Sequence, residues 1–170
     1  MTDAGGAAAG IASMLAEARS RLADVPQVRL GEWTSPPRWV AALRPPRIVP
    51  RASAWHLGVV LLGEAELYAT GDVVRASDPG RRGYAAQAAR TRAEWAAAAR
   101  RGGFAEGEPA HVGWRRLDLG AFARTGAEGP LAVIDGTVGV RWSPGARHVP
   151  LEGYLAERIE LLRHPPAGAT

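Results

Sequence analysis

The sequence predicts an α+β fold: a mainly antiparallel sheet of five to six strands with two or three packed helices, in the order α-βββ-α-βββ-α. Three observations carry this expectation. Apolar residues recur at helical spacing in three separated segments, and each of those segments ends on Pro or a Gly pair. Between them, short apolar runs bounded by Gly and Asp fall in clusters of three. Strands grouped in this way argue for hairpin-connected strands rather than alternating βαβ units.

Residues 1–9 are small and featureless and read as a disordered N-terminus. From Gly10 to about Ala23, Ile11, Met14, Leu15, Ala18 and Leu22 form one helical stripe, and Pro26 marks its end. Residues 26–50 hold six Pro, at 26, 36, 37, 45, 46 and 50, which excludes regular helix and biases the chain to extended forms. Because Trp33, Trp39, Val40 and Leu43 are also present, this stretch reads as an ordered arm on the domain surface; a partner-binding peptide and a linker are the other readings.

Strands follow. Ala54–Leu62 is apolar on both faces of a period-two pattern, as a central strand would be. Gly63-Glu64 and Gly71-Asp72 are turn signals leading into 65–70 and 73–76, so an antiparallel meander is expected. Ser77-Asp78-Pro79-Gly80 opens the strongest helix, Tyr84–Arg101, which Gly102-Gly103 caps. Then come a Gly-rich acidic loop at 104–109, a strand at 111–119, and a hairpin of 131–134 with 137–142 about Asp135-Gly136, which suits a type I′ turn. Pro150 opens the last helix, with a stripe of Leu151, Tyr154, Leu155, Ile159 and Leu162, and Pro165-Pro166 end it. The expected organisation is one domain over 10–164 and a flexible tail at 165–170.

The chain's 170 residues and 17.9 kDa suffice for one core, and 46% hydrophobic with 22% charged residues is ordinary for a folded protein. The absences are more telling. There is no Cys, Lys or Asn, all 21 basic side chains are Arg, and Ala fills 34 positions, a pattern of high-GC coding. Without Lys there is no Schiff base, pyridoxal-phosphate anchor or Walker-type loop; without Cys there is no thiol nucleophile, zinc ribbon or disulfide. The pI of about 10.5 reflects Arg, which stays protonated far above neutrality, since the net charge is only +4. That charge is polarised: residues 33–63 carry four Arg and no acid, and residues 79–105 carry six Arg against Glu94 alone. No signal-peptide pattern or membrane-length apolar run is present, so a cytoplasmic protein is expected.

On a helical wheel, Tyr84, Ala85, Ala88, Trp95, Ala96 and Ala99 share one face, and Arg92 falls in its middle. Two readings are open: a structural Arg whose stem packs on Trp95 and whose head meets a buried carboxylate, or an anion-binding Arg at the floor of a cleft. Arg90, Glu94 and Arg101 point the opposite way, where Arg90 and Glu94 form an i,i+4 pair. Arg81 and Arg82 precede the helix between Gly80 and Gly83, where free N–H groups favour an anion, although a solvated turn would look the same. His56 and His111 lie on predicted strands, either as hydrogen-bonded structural residues or as ligand-binding ones. Four scattered His give no metal-ligand spacing, and neither a metal nor a cofactor is expected. Glu106 and Glu108 would serve as acid and base only if their loop closed over a cleft.

Arg-Arg-Gly-Tyr-Ala-Ala at 81–86, Arg-Gly-Gly-Phe-Ala-Glu-Gly-Glu at 101–108, Trp-Ser-Pro-Gly at 142–145 and the stretch from Leu151 to Pro166 together resemble small uncharacterised proteins of high-GC bacteria. No activity is established for that group, so the resemblance implies no site residues. Taken together, the residues predict a domain binding a small anionic ligand or a protein partner, with candidate residues Arg92, Arg81, Arg82, His56 and His111. The alternatives are a hydrolase or transferase pairing His56 or His111 with a carboxylate, and an Arg-based nucleic-acid binder using the Arg-rich helix and the Trp residues of the arm. Because that helix spreads its Arg around the cylinder and the chain outside 33–63 and 79–105 carries −5, nucleic acid is not the expected partner. A wrapping arm would also permit a homodimer.

Overall fold

Ile11, Leu15, Ala18 and Leu22 are buried along one side of the first helix, as their spacing requires. The structure, a computed structural model, describes residues 4–37, 39, 44–78 and 87–166. In chain order the elements are α1 (Ala4–Leu22), β1 (Val28–Thr34), β2 (Arg47–Leu57), β3 (Val60–Leu62), β4 (Leu67–Ala69), β5 (Asp72–Arg75), α2 (Gln87–Gly102), β6 (Pro109–Val112), β7 (Arg115–Arg116), α3 (Leu119–Thr125), β8 (Ala127–Glu128), β9 (Leu131–Ile134), β10 (Thr137–Val140), β11 (Val149–Pro150) and α4 (Leu151–Arg163). The fold is α+β. No helix among the described residues is long and apolar enough to cross a membrane.

The chain divides into two compact units, the first comprising residues 1–27, 55–69 and 115–170, the second residues 28–54 and 70–114. Strand β2 contributes to both: its first part pairs with β1, and Trp55–Leu57 pair with β3. Counted through β2, the hydrogen-bonded order is β5-β6-β1-β2-β3-β4-β7. The sheet is mixed rather than purely antiparallel, because β1 and β6 run parallel.

In the first unit, α1, α3 and α4 bury Ile11, Leu15, Phe122, Leu151 and Leu155 with Trp55, Leu57, Val60 and Leu62 of the sheet. A separate antiparallel sheet, β11-β10-β9-β8, belongs to the same unit. Its β9–β10 hairpin turns at Asp135 (φ 49°) and Gly136 (φ 77°), the two positive values that a type I′ turn needs.

The second unit is β5-β6-β1 and the first part of β2, covered by α2. Its core is Ile48, Val74, Phe104, Ala110 and Val112 with the alanines of α2.

Four departures from the sequence reading have physical causes. Helix α3 begins at Leu119, where the sequence predicts the end of a strand, and fills a stretch for which it predicts no element. Yet its ends carry strong signals: Asp118 Oδ1 accepts from the Ala121 N–H (3.0 Å), and Gly126 closes the helix at φ 74°. The Pro-rich stretch is sheet over 28–34 and 47–50; Leu30 pairs with Ala52 and Gly31 with Pro50, so Arg51 bulges, a place where a residue lacking an N–H is tolerated. The supposed continuous strand 54–62 is a hairpin, because Gly58 turns the chain at φ 68°. Finally, β5 leaves the meander and pairs with β6 instead of β4. The described residues also contain no Arg90–Glu94 ion pair.

Candidate functional site

The residues singled out from sequence do not converge. Arg81 and Arg82 lie outside the described residues. His56 belongs to the first unit; His111 and Arg92 belong to the second. Side chains alternate along β6, so Ala110 and Val112 meet the α2 alanines and His111, itself buried, turns to the opposite face. Arg92 is exposed. Burial on α2 is confined to Ala96–Ala99, where side chains are small enough for the helix to approach the sheet, and Arg92 lies one helical turn before it, exposed rather than buried against a carboxylate.

Around that exposed end the second unit assembles aromatic and basic groups. Trp95, three residues from Arg92 and therefore its neighbour on the helix surface, meets Trp33 of β1 edge to face, with ring centroids 5.8 Å apart at 77°. Trp33 reaches α2 because it is paired with Ile48, whose side chain faces the same core. At the other end of the helix the Arg101 guanidinium donates to the Pro46 carbonyl (3.0 Å), beside Arg47 and close in sequence to Arg44. Nine residues separate Arg92 from Arg101, about 13 Å of helix and half a turn in angle, so Arg92 flanks the indole pair while Arg101 leaves the opposite side of α2. Trp33 is 40% exposed and Trp39, on the segment after β1, is 84% exposed.

The charge balance leaves these arginines available. The second unit holds 12 Arg and six acids, net +6, whereas the first holds nine Arg and eleven acids, net −2. Four of the six acids are engaged elsewhere: Glu32 with Arg51, Asp78 and Glu106 with Arg100, and Glu108 with Arg29. The last pair is two-pronged (2.6 and 2.5 Å), and Arg29 also lies 4.7 Å from the centre of the Phe104 ring and donates to the Gly103 carbonyl. Glu108 accepts from the Ala105 N–H as well (2.7 Å), so it pins the 103–108 loop, and the Arg29 guanidinium holds its carboxyl below the usual range. Among the described residues Arg44, Arg47, Arg90, Arg92 and Arg101 make no ion pair.

A second polar cluster lies in the first unit. Buried Tyr154 accepts from the Val59 N–H (2.9 Å) and donates to the Leu57 carbonyl (3.0 Å), locking the β2–β3 turn. Arg158 sits 5.1 Å from the Tyr154 ring centre, and its Nε is buried without a hydrogen-bond partner. Burial lowers the pKa of half-buried His56, a hydrogen bond with the Gly58 backbone partly offsets this, and the Arg158 charge lowers it further. A cation acting on this imidazole is the reverse of the orienting carboxylate that a catalytic base uses. His56 therefore contributes stability above its ordinary pKa of 6.5 that is lost as pH falls through its lowered folded value. The melting temperature is expected to drop between about pH 7 and pH 5, and His56→Gln to flatten that slope. An unchanged slope in the variant would show that another group carries it.

A shallow groove of about 100 Å³ between α1 and α4 is lined by Glu17, Arg21 and Glu152 among apolar residues, a charge set that does not favour an anion. No family model, curated protein or solved structure matches the chain.

The sequence points to Arg92, to the Trp residues of the arm and, through the acid-free stretch from residue 33, to Arg47, but not to Tyr154 with Arg158 as a cluster. Nothing local marks Tyr154, whose partners lie 95 and 97 residues away.

Proposed function

We propose that this protein binds an extended anion on the arginine and tryptophan surface of its second unit. The observation that carries the reading is exposed Arg92 one helical turn from Trp95 of the Trp33–Trp95 pair, in a unit of net charge +6 whose acids are mostly engaged elsewhere. An extended ligand fits better than a small enclosed one because Arg92, Arg44 and Arg47 are all exposed. Several unpaired guanidinium groups along one helix and one strand end can each neutralise a charge while releasing a counterion.

Heparin serves as a base-free polyanion probe. Its affinity is expected to fall steeply with salt, and Arg92→Gln and Arg47→Gln are each expected to reduce the slope of log K against log[salt] by about one. Both are exposed substitutions and should change stability by no more than about 0.5 kcal/mol. Failure of heparin to bind at low salt, or affinity and slope indifferent to both variants, would refute the reading.

A further inference from the structure

Arginines alone would serve any polyanion, but the centre of this surface is aromatic. Trp33 and Trp95 meet edge to face, which holds the partly exposed Trp33 indole in a fixed plane, and Trp39 adds a second, almost fully exposed indole on the segment that follows β1. A flat ring held in place near the exposed Arg92 guanidinium matches a ligand that alternates phosphates with flat bases. In a duplex the faces of the bases are already occupied by their neighbours, so only an unpaired strand presents them. We infer that the anion is single-stranded nucleic acid, its bases stacking on Trp33 and its phosphates lying beside Arg92. This inference rests on the proposed anion binding and adds the class of ligand.

Fluorescence anisotropy at low salt with labelled oligothymidylate of about 12 nucleotides tests it against an abasic deoxyribose-phosphate strand and a duplex of equal length. The expected result is that oligothymidylate binds about tenfold or more tightly than the abasic strand, and more tightly than the duplex. Trp33→Leu should erase that preference, and Trp33→Tyr, which keeps a stacking ring, should retain most of it. Equal affinity for the abasic strand, duplex binding as tight as single-strand binding, or a preference that survives Trp33→Leu would overturn the inference and leave anion binding standing. Binding of none of the three probes would instead overturn the anion-binding reading itself.

Discussion

Gly102→Ala is expected to destabilise the protein by about 3 kcal/mol, lowering the urea midpoint without changing the m-value. In most exposed helical positions Ala is the better residue than Gly by about 1 kcal/mol, so the sign here depends on space. A Cβ at Gly102 would stand 1.7 Å from the Ile48 carbonyl oxygen, 2.4 Å from its carbon and 3.1 Å from the Val49 nitrogen. All three are backbone atoms of β2, and no rotamer change can move them aside. The last turn of α2 would have to separate from the strand, opening the core made by Ile48, Ala98, Ala99 and Phe104. Gly10→Ala on α1 and Gly153→Ala on α4 supply the contrast, since nothing lies within 4 Å of either new methyl. Both should raise stability by up to about 1 kcal/mol. An unchanged midpoint in Gly102→Ala would mean that the helix end does not press on β2.

The second large effect concerns the β2–β3 turn. Gly58→Ala forces a side chain onto a residue at φ 68° and places its Cβ 2.1 Å from the Tyr154 hydroxyl oxygen. Left-handed backbone alone costs about 1–2 kcal/mol, and displacing the hydroxyl breaks both hydrogen bonds that hold Leu57 and Val59. Tyr154→Phe, by itself, leaves the Val59 N–H and the Leu57 carbonyl without that partner, at about 1–3 kcal/mol. The two changes remove the same clamp, and loss of the Tyr154 hydroxyl would also relieve the clash that the new methyl at position 58 creates. The double variant should therefore be less destabilised than the sum of the singles by at least about 1 kcal/mol. Additive losses would show that the hydroxyl and the glycine act independently.

Much of the fold was legible because its signals are local. The stripes of α1 and α4, and the Asp135-Gly136 turn, depend on spacing and turn chemistry within a few residues. The break at Gly58 was not, since a run of apolar residues reads equally as one strand or two, and Tyr154 holds that turn from 95 residues away. The parallel pairing of Leu30 with His111 is likewise a long-range choice that neither strand announces. For the site, the wheel assigns Arg92 an angle but not a depth. A wheel has no axial coordinate, and burial on α2 changes along the axis, from exposed at Arg92 to buried at Ala96. The reading of Arg81 and Arg82 falls outside the described residues.

The central claim, that the Trp33–Trp95 surface is where the anion binds, is tested most directly by the six indole N–H resonances in a two-dimensional NMR titration with oligothymidylate. The indoles report from known places: Trp55 donates to the Val25 carbonyl in the first unit, and Trp114 to the Gly31 carbonyl in the second. The account predicts that the Trp33 and Trp95 signals shift progressively with ligand, together with the Arg92 side chain, while Trp55 and Trp142 stay in place. Saturable binding that moves Trp55 or Trp142 and leaves Trp33 and Trp95 unchanged would contradict it.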